Sequence, residues 1–126
     1  MKPARTALVV LFLAPLLPSC VLLVAGAAGA AGAMYVNGDF DARLAATPKR
    51  CAEAARRVLE ELDIKVTKCE SSAIDGRVEG RSALDKEIAI TLKRDSETET
   101  KITIRVGTWG DESVSRQIYD KIKARL

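Results

Sequence analysis

The sequence has 126 residues, room for one domain rather than two. It contains no histidine, which excludes Ser–His and Cys–His nucleophile activation and histidine ligation of a metal. Once Lys2 and Arg5 are set aside, 18 basic residues face 17 acidic ones, all at Asp39 or later; no basic stripe forms to hold phosphates, so nucleic acid is excluded as a partner.

Residues 1–5 carry two positive charges, and residues 7–17 are apolar except for Pro15, as in the n-region and h-region of a secretory signal. Alone, that run is too short to span a bilayer. It ends in Leu17-Pro18-Ser19-Cys20, which resembles a bacterial lipobox; Leu17 and Ser19 fit the pattern and Pro18 departs from it. The resemblance implies cleavage after Ser19 and acylation of Cys20, whose several acyl chains (palmitate among them) would hold the protein on a membrane. Val21 follows the cysteine where an acidic residue would signal retention, which implies the outer membrane, facing the periplasm. Two alternatives stay open. Residues 7–34 carry no charge and are long enough for an uncleaved membrane helix, and an Ala-x-Ala site at residues 31–33 would release a soluble product.

The stretch GAAGAAGA, residues 26–33, repeats glycine every three residues rather than the four of a close-packed helix seam. It reads as a tether. The expected organisation is a signal peptide over 1–19, a lipid-anchored Gly/Ala tether over 20–34, and a single domain over 35–126.

Within that domain Asn37-Gly38-Asp39 signals a turn, and Phe40, Ala42 and Leu44 alternate with charge as in a half-buried strand. Thr47 caps and Pro48 opens a helix over residues 48–62. Its apolar face is Cys51, Ala55, Val58, Leu59 and Leu62. The period then becomes two. Ile64 and Val66 begin a strand running to about Ser72, Asp75-Gly76 is expected to turn, and Arg77 to Arg81 forms a weaker strand. Ile88, Ile90, Leu92 and then Ile102, Ile104, Val106 give two strong strand faces around a polar loop near Asp95. Asp111 caps a final helix bearing Val114, Ile118, Ile122 and Leu126. The expectation is an α+β two-layer sandwich, an antiparallel sheet of four to five strands with two helices on one face, in the order β-α-β-β-β-β-α.

The lipobox, the Gly/Ala run, YVNGDF and ITIRVGTWGDESVSRQIYDKIKARL together resemble a family of short bacterial lipoproteins that carry a domain of unknown function. The resemblance implies a cell-envelope location and this fold. It implies no activity, cofactor or catalytic residue.

The motif GTWGDE reads first as punctuation between strand and helix, with Trp109, the only tryptophan, as the candidate partner contact. Glu60-Glu61 and Asp39 with Asp41 read as solvated faces rather than acid/base pairs, and no Gly-rich phosphate loop follows a strand. The reading is therefore not an enzyme, with no cofactor and no metal. It is an envelope structural or interaction module, held to the membrane by lipid on Cys20 and partnered by another envelope protein. A binding module for a lipid or other apolar ligand is the alternative. An oxidising periplasm would favour a Cys51–Cys69 disulfide. Two free thiols are nevertheless expected, because strand parity turns Cys69 away from the helix that carries Cys51 and packed layers stand about 10 Å apart, beyond the reach of a disulfide.

Overall fold

In the computed structural model, which describes residues 32–126, the chain forms β1 (Met34–Val36), β2 (Asp39–Leu44), α1 (Pro48–Glu61), β3 (Lys65–Ser71), β4 (Asp75–Arg81), β5 (Glu87–Arg94), β6 (Thr100–Val106) and α2 (Glu112–Ala124). The expected signal peptide, Cys20 and the expected tether up to residue 31 lie outside the described residues. The described fold is α+β, one open antiparallel sheet of six strands in the order β1-β2-β6-β5-β4-β3, with two helices.

Six strands replace the expected four to five, and the chain order opens β-β-α rather than β-α. The extra strand is β1. Asn37 and Gly38 both adopt positive φ (53° and 91°), so they make the tight two-residue hairpin turn whose twist suits flanking strands. Val36 is thereby paired with Asp39 and Met34 with Asp41. The Asn-Gly pair signalled a turn, but three residues of strand before it leave no readable alternation.

Register explains where the core sits. Phe40, Ile104, Ile90 and Val78 lie in one row across the sheet, Ala42, Ile102, Leu92 and Gly76 in the next. All of them are buried, so a single sheet face is covered. Both helices lie on it, α1 against β3, β4 and β5, and α2 against β2 and β6. In α1 the Thr47 hydroxyl accepts from the Arg50 N–H at 3.3 Å and Pro48 occupies the first turn, as the sequence dictates. Cys51, Ala55, Val58 and Leu59 are buried below it.

The expected Asp75-Gly76 turn is displaced. Ser72 makes the turn instead, its Oγ accepting from the Ile74 and Asp75 N–H groups at 3.2 Å, while Asp75 and Gly76 already belong to β4. The core face of β4 is then Gly76, Val78 and Gly80. The glycines are there for space. A Cβ on Gly80 would stand 2.8 Å from Cγ2 of Ile64, so Gly80 is what lets the end of α1 approach the sheet.

One buried polar atom in this region lacks a partner. Ser115 on α2 is fully buried and its Oγ makes no hydrogen bond. A buried hydroxyl left unpaired costs about 1–3 kcal/mol, and alanine is also the better helix former. Ser115→Ala is therefore expected to raise the unfolding midpoint by roughly 4–8 °C, the shift that about 1 kcal/mol gives a domain of this size. Thermal unfolding followed by circular dichroism checks it; a lower midpoint would mean that the hydroxyl has a partner in water.

Candidate functional site

The face of the sheet away from the helices is polar, and one row near its Trp109 end carries an ion pair between neighbouring strands. Asp39, Arg105, Ala89 and Glu79 are successive neighbours across β2, β6, β5 and β4. Arg105 is the hub. Its Nη1 donates to Oδ1 of Asp39 at 2.8 Å and to the Asn37 carbonyl at 3.0 Å, and its Nη2 donates to the Thr108 carbonyl at 2.6 Å. One guanidinium thus ties the β1–β2 turn to the β6–α2 loop.

The two loops also touch through backbone. Gly38 and Gly110 both have positive φ, and a Cβ on Gly110 would collide with the backbone of Gly38 and come within 2.6 Å of the Tyr35 hydroxyl oxygen. Only glycine fits there. Asp111 follows as N-cap, accepting from the Val114 N–H at 3.0 Å, and so fixes where the loop ends and α2 begins.

On this braced loop Trp109 is 89% exposed. A large apolar ring held in water by a rigid backbone is a preorganised contact, since its loop has little ordering left to undergo on binding. Beside it runs a groove of about 620 Å³ whose lining includes Arg77, Arg81, Asp85, Lys86, Ala89 and Arg105. The β4–β5 loop forms the opposite bank, and it is built as firmly. Arg81 pairs with Asp85 at 3.1 Å, the Ser82 N–H donates to the Lys86 carbonyl at 2.9 Å, and the Lys86 N–H donates to the Ser82 hydroxyl at 3.1 Å. Leu84 at its tip is 83% exposed.

The sequence singled out Trp109 but not Arg105, Leu84 or the groove. Cys20 lies outside the described residues. Among the described residues no three His, Cys, Asp or Glu side chains gather as a metal site requires, and no helix is long and apolar enough to cross a membrane.

The two remaining cysteines are free thiols, Cys51 buried and Cys69 exposed. The parity argument for keeping them apart is corrected by the structure. A bulge between Val66 and Lys68 restores Cys69 to the row of Val78, on the helix side of the sheet. Distance alone separates them, and it is distance along the sheet. Cys51 donates its S–H to the Ala46 carbonyl at 3.9 Å, and the buried Thr100 hydroxyl donates to the same carbonyl at 2.6 Å, which puts Cys51 over the start of β6. Cys69 sits on β3, three strands away, or about 14 Å at 4.8 Å per strand. That is twice the Cα separation of about 7 Å that a disulfide allows. Burial, outweighing the nearby Thr100 hydroxyl and Arg50 charge, also pushes the Cys51 thiol pKa up. With Cys20 replaced by serine, thiol titration is expected to count one fast-reacting group in the folded protein and two after unfolding without reductant; none would show a disulfide.

No curated protein matches the chain. Residues 4–125 match the family described as "Protein of unknown function (DUF3568)", and the chain, matched over almost its whole length, belongs to that family.

Proposed function

We propose that the protein is a membrane-anchored bacterial lipoprotein that acts as an interaction module of the cell envelope, presenting the Trp109 end of its sheet to a partner. One observation carries this reading: a rigidly braced loop holds the only tryptophan 89% exposed at the edge of a groove that mixes charged and apolar lining. Surfaces that meet a partner, whether a protein or a bilayer, are enriched in such rings, and isolated folding gives no reason to hold one in water.

The alternative, a carrier of a lipid or other apolar ligand inside the fold, has less support. Such a ligand needs an apolar cavity, and the space between sheet and helices is filled by Phe40, Leu59, Ile90, Leu92, Ile104 and Ile118, each less than 2% exposed. Of three surface grooves among the described residues, those beside α1 and beside Trp109 draw half or more of their lining residues from charged side chains, and the third mixes Glu70, Asp75, Arg77 and Lys93 with Gly76 and Leu92.

The anchor reading rests on Leu17-Pro18-Ser19-Cys20 after an apolar run that is itself short of a bilayer span. Cys20→Ala is expected to move the protein from the membrane fraction to the soluble fraction of the envelope. Retention at the wild-type level would favour an uncleaved helix over a lipid. Affinity capture from intact envelopes, comparing wild type with Trp109→Ala, then tests the module itself; an unchanged set of captured molecules would remove Trp109 from the contact.

A further inference from the structure

Trp109 and Leu84 are the two most exposed large apolar side chains among the described residues, at 89% and 83%. They crown two different loops at the same end of the sheet. The loops are joined there, since the Gly107 N–H donates to the Glu87 carbonyl at 2.7 Å, and both border the groove that contains Arg81, Lys86 and Arg105. Arg81 and Arg105 are held by Asp85 and Asp39, whereas Lys86 makes no ion pair among the described residues.

This arrangement is unlike the centre of a protein–protein contact, where apolar side chains form one continuous patch ringed by polar ones. Here two single apolar tips flank a groove in which Arg77, Arg81, Lys86 and Arg105 outnumber Asp85 and Glu87, a net positive lining. The order suits a lipid headgroup layer: an indole at headgroup depth, an aliphatic tip in the acyl boundary, and Lys or Arg against phosphate between them.

The chain outside the described domain agrees in length. From Cys20 to Ala33 there are 14 residues, whose covalent geometry sets an upper reach of about 50 Å. The domain begins at β1, which runs only three residues, about 10 Å, to the turn at the Trp109 end. A bilayer holding acyl chains on Cys20 therefore stays within reach of that end. Weak tip contacts suffice, because tethering makes the second contact intramolecular.

We propose that the Trp109–Leu84 end of the domain docks on the surface of the same bilayer that holds its anchor. The proposal rests on the lipid-anchor reading and names the partner of the Trp109 loop as lipid headgroups. Docking lays the open end of the sheet on the membrane and leaves the rest of the domain standing in the periplasm.

The test uses the full-length protein extracted from membranes and reconstituted into protein-free vesicles of phosphatidylethanolamine and phosphatidylglycerol with brominated acyl chains. Because Trp109 is the only tryptophan, its emission reports this loop alone. Vesicle flotation reports the anchor separately. Flotation with blue-shifted, bromine-quenched emission is the expected result, and Leu84→Asp, at a site too exposed to affect folding, is expected to lower the docked-to-free ratio tenfold or more while flotation persists. Flotation with emission as in water, fully open to acrylamide, overturns docking but not the anchor. Protection of Trp109 in native envelopes but not in vesicles overturns it in favour of a protein partner. Unchanged quenching in Leu84→Asp overturns the two-tip geometry. Loss of flotation removes the anchor reading and docking with it.

Discussion

Gly110→Ala is expected to destabilise the domain by about 3 kcal/mol, and to free the Trp109 loop from the β1–β2 turn. Two costs combine. Gly110 has a φ of +84°, where a side chain costs about 1–2 kcal/mol. Its Cβ would also fall against the backbone of Gly38, which cannot rotate away as a side chain could. Forced overpacking of that kind costs about 1–3 kcal/mol. Gly107 separates the two. It has a similar φ of +73° but nothing within 4 Å of an added Cβ, so Gly107→Ala carries only the conformational cost. Urea unfolding of both variants measures the difference, and equal losses would mean that the contact between the loops contributes nothing. Steady-state anisotropy of Trp109 is expected to fall in the Gly110 variant alone.

The largest loss of stability is expected from Phe40→Ala, about 3–5 kcal/mol. Phe40 is the biggest fully buried side chain of β2 and joins the sheet to α2. Its ring lies 5.4 Å from that of Tyr119 at a tilt of 51°, and the Arg116 guanidinium sits 5.3 Å from its centre. Tyr119 in turn donates its hydroxyl to the Arg43 carbonyl at 2.9 Å. Removing Phe40 thus leaves a cavity and loosens the contact that holds α2 over β2. Whole domains are stable by only about 5–15 kcal/mol, so a fall of about 20 °C in the unfolding midpoint is expected. A loss under about 1 kcal/mol would show that α2 does not pack as described. The same contact gives a pH dependence. Burial, and then the Asp120 charge, raise the Tyr119 phenol pKa, so the folded state holds this proton more tightly. That contribution is complete below the unfolded phenol pKa and is lost as pH rises through the folded one.

What the sequence made legible follows from how strongly each element states its own period. Helix α1 carries a cap, a first-turn proline and a full apolar face, so its boundaries agree to within a residue. β5 and β6 alternate without interruption, and so does their burial. β4 is different. Two of its three core-facing positions are glycines, tightly approached by Leu92 at Gly76 and by Ile64 and Leu59 at Gly80, so its alternation nearly vanishes and Asp75-Gly76 mimics a turn. β1 is too short to alternate at all. The bulge after Val66 adds one residue, invisible locally, and reverses the face of Cys69.

The candidate site was legible only in part, for a topological reason. GTWGDE announces a loop with an exposed ring, and Asn37-Gly38 announces a turn. That these meet depends on β6 lying beside β2, a pairing between segments some sixty residues apart. Arg105 carries no local sign of its role, since its three partners lie on the turn, the strand and the loop that only the fold unites. Leu84 reads as a lone apolar residue in a polar loop, and becomes notable once the β4–β5 loop is seen to face Trp109 across a groove.

Anchoring on Cys20 is the claim on which the functional account turns, and the intact mass of the protein purified from membranes tests it most directly. The expected product is a chain that has lost residues 1–19 and gained the mass of a diacylglyceryl group and an amide-linked acyl chain at Cys20. A chain beginning at Met1, or a soluble product that begins after Cys20, would contradict it.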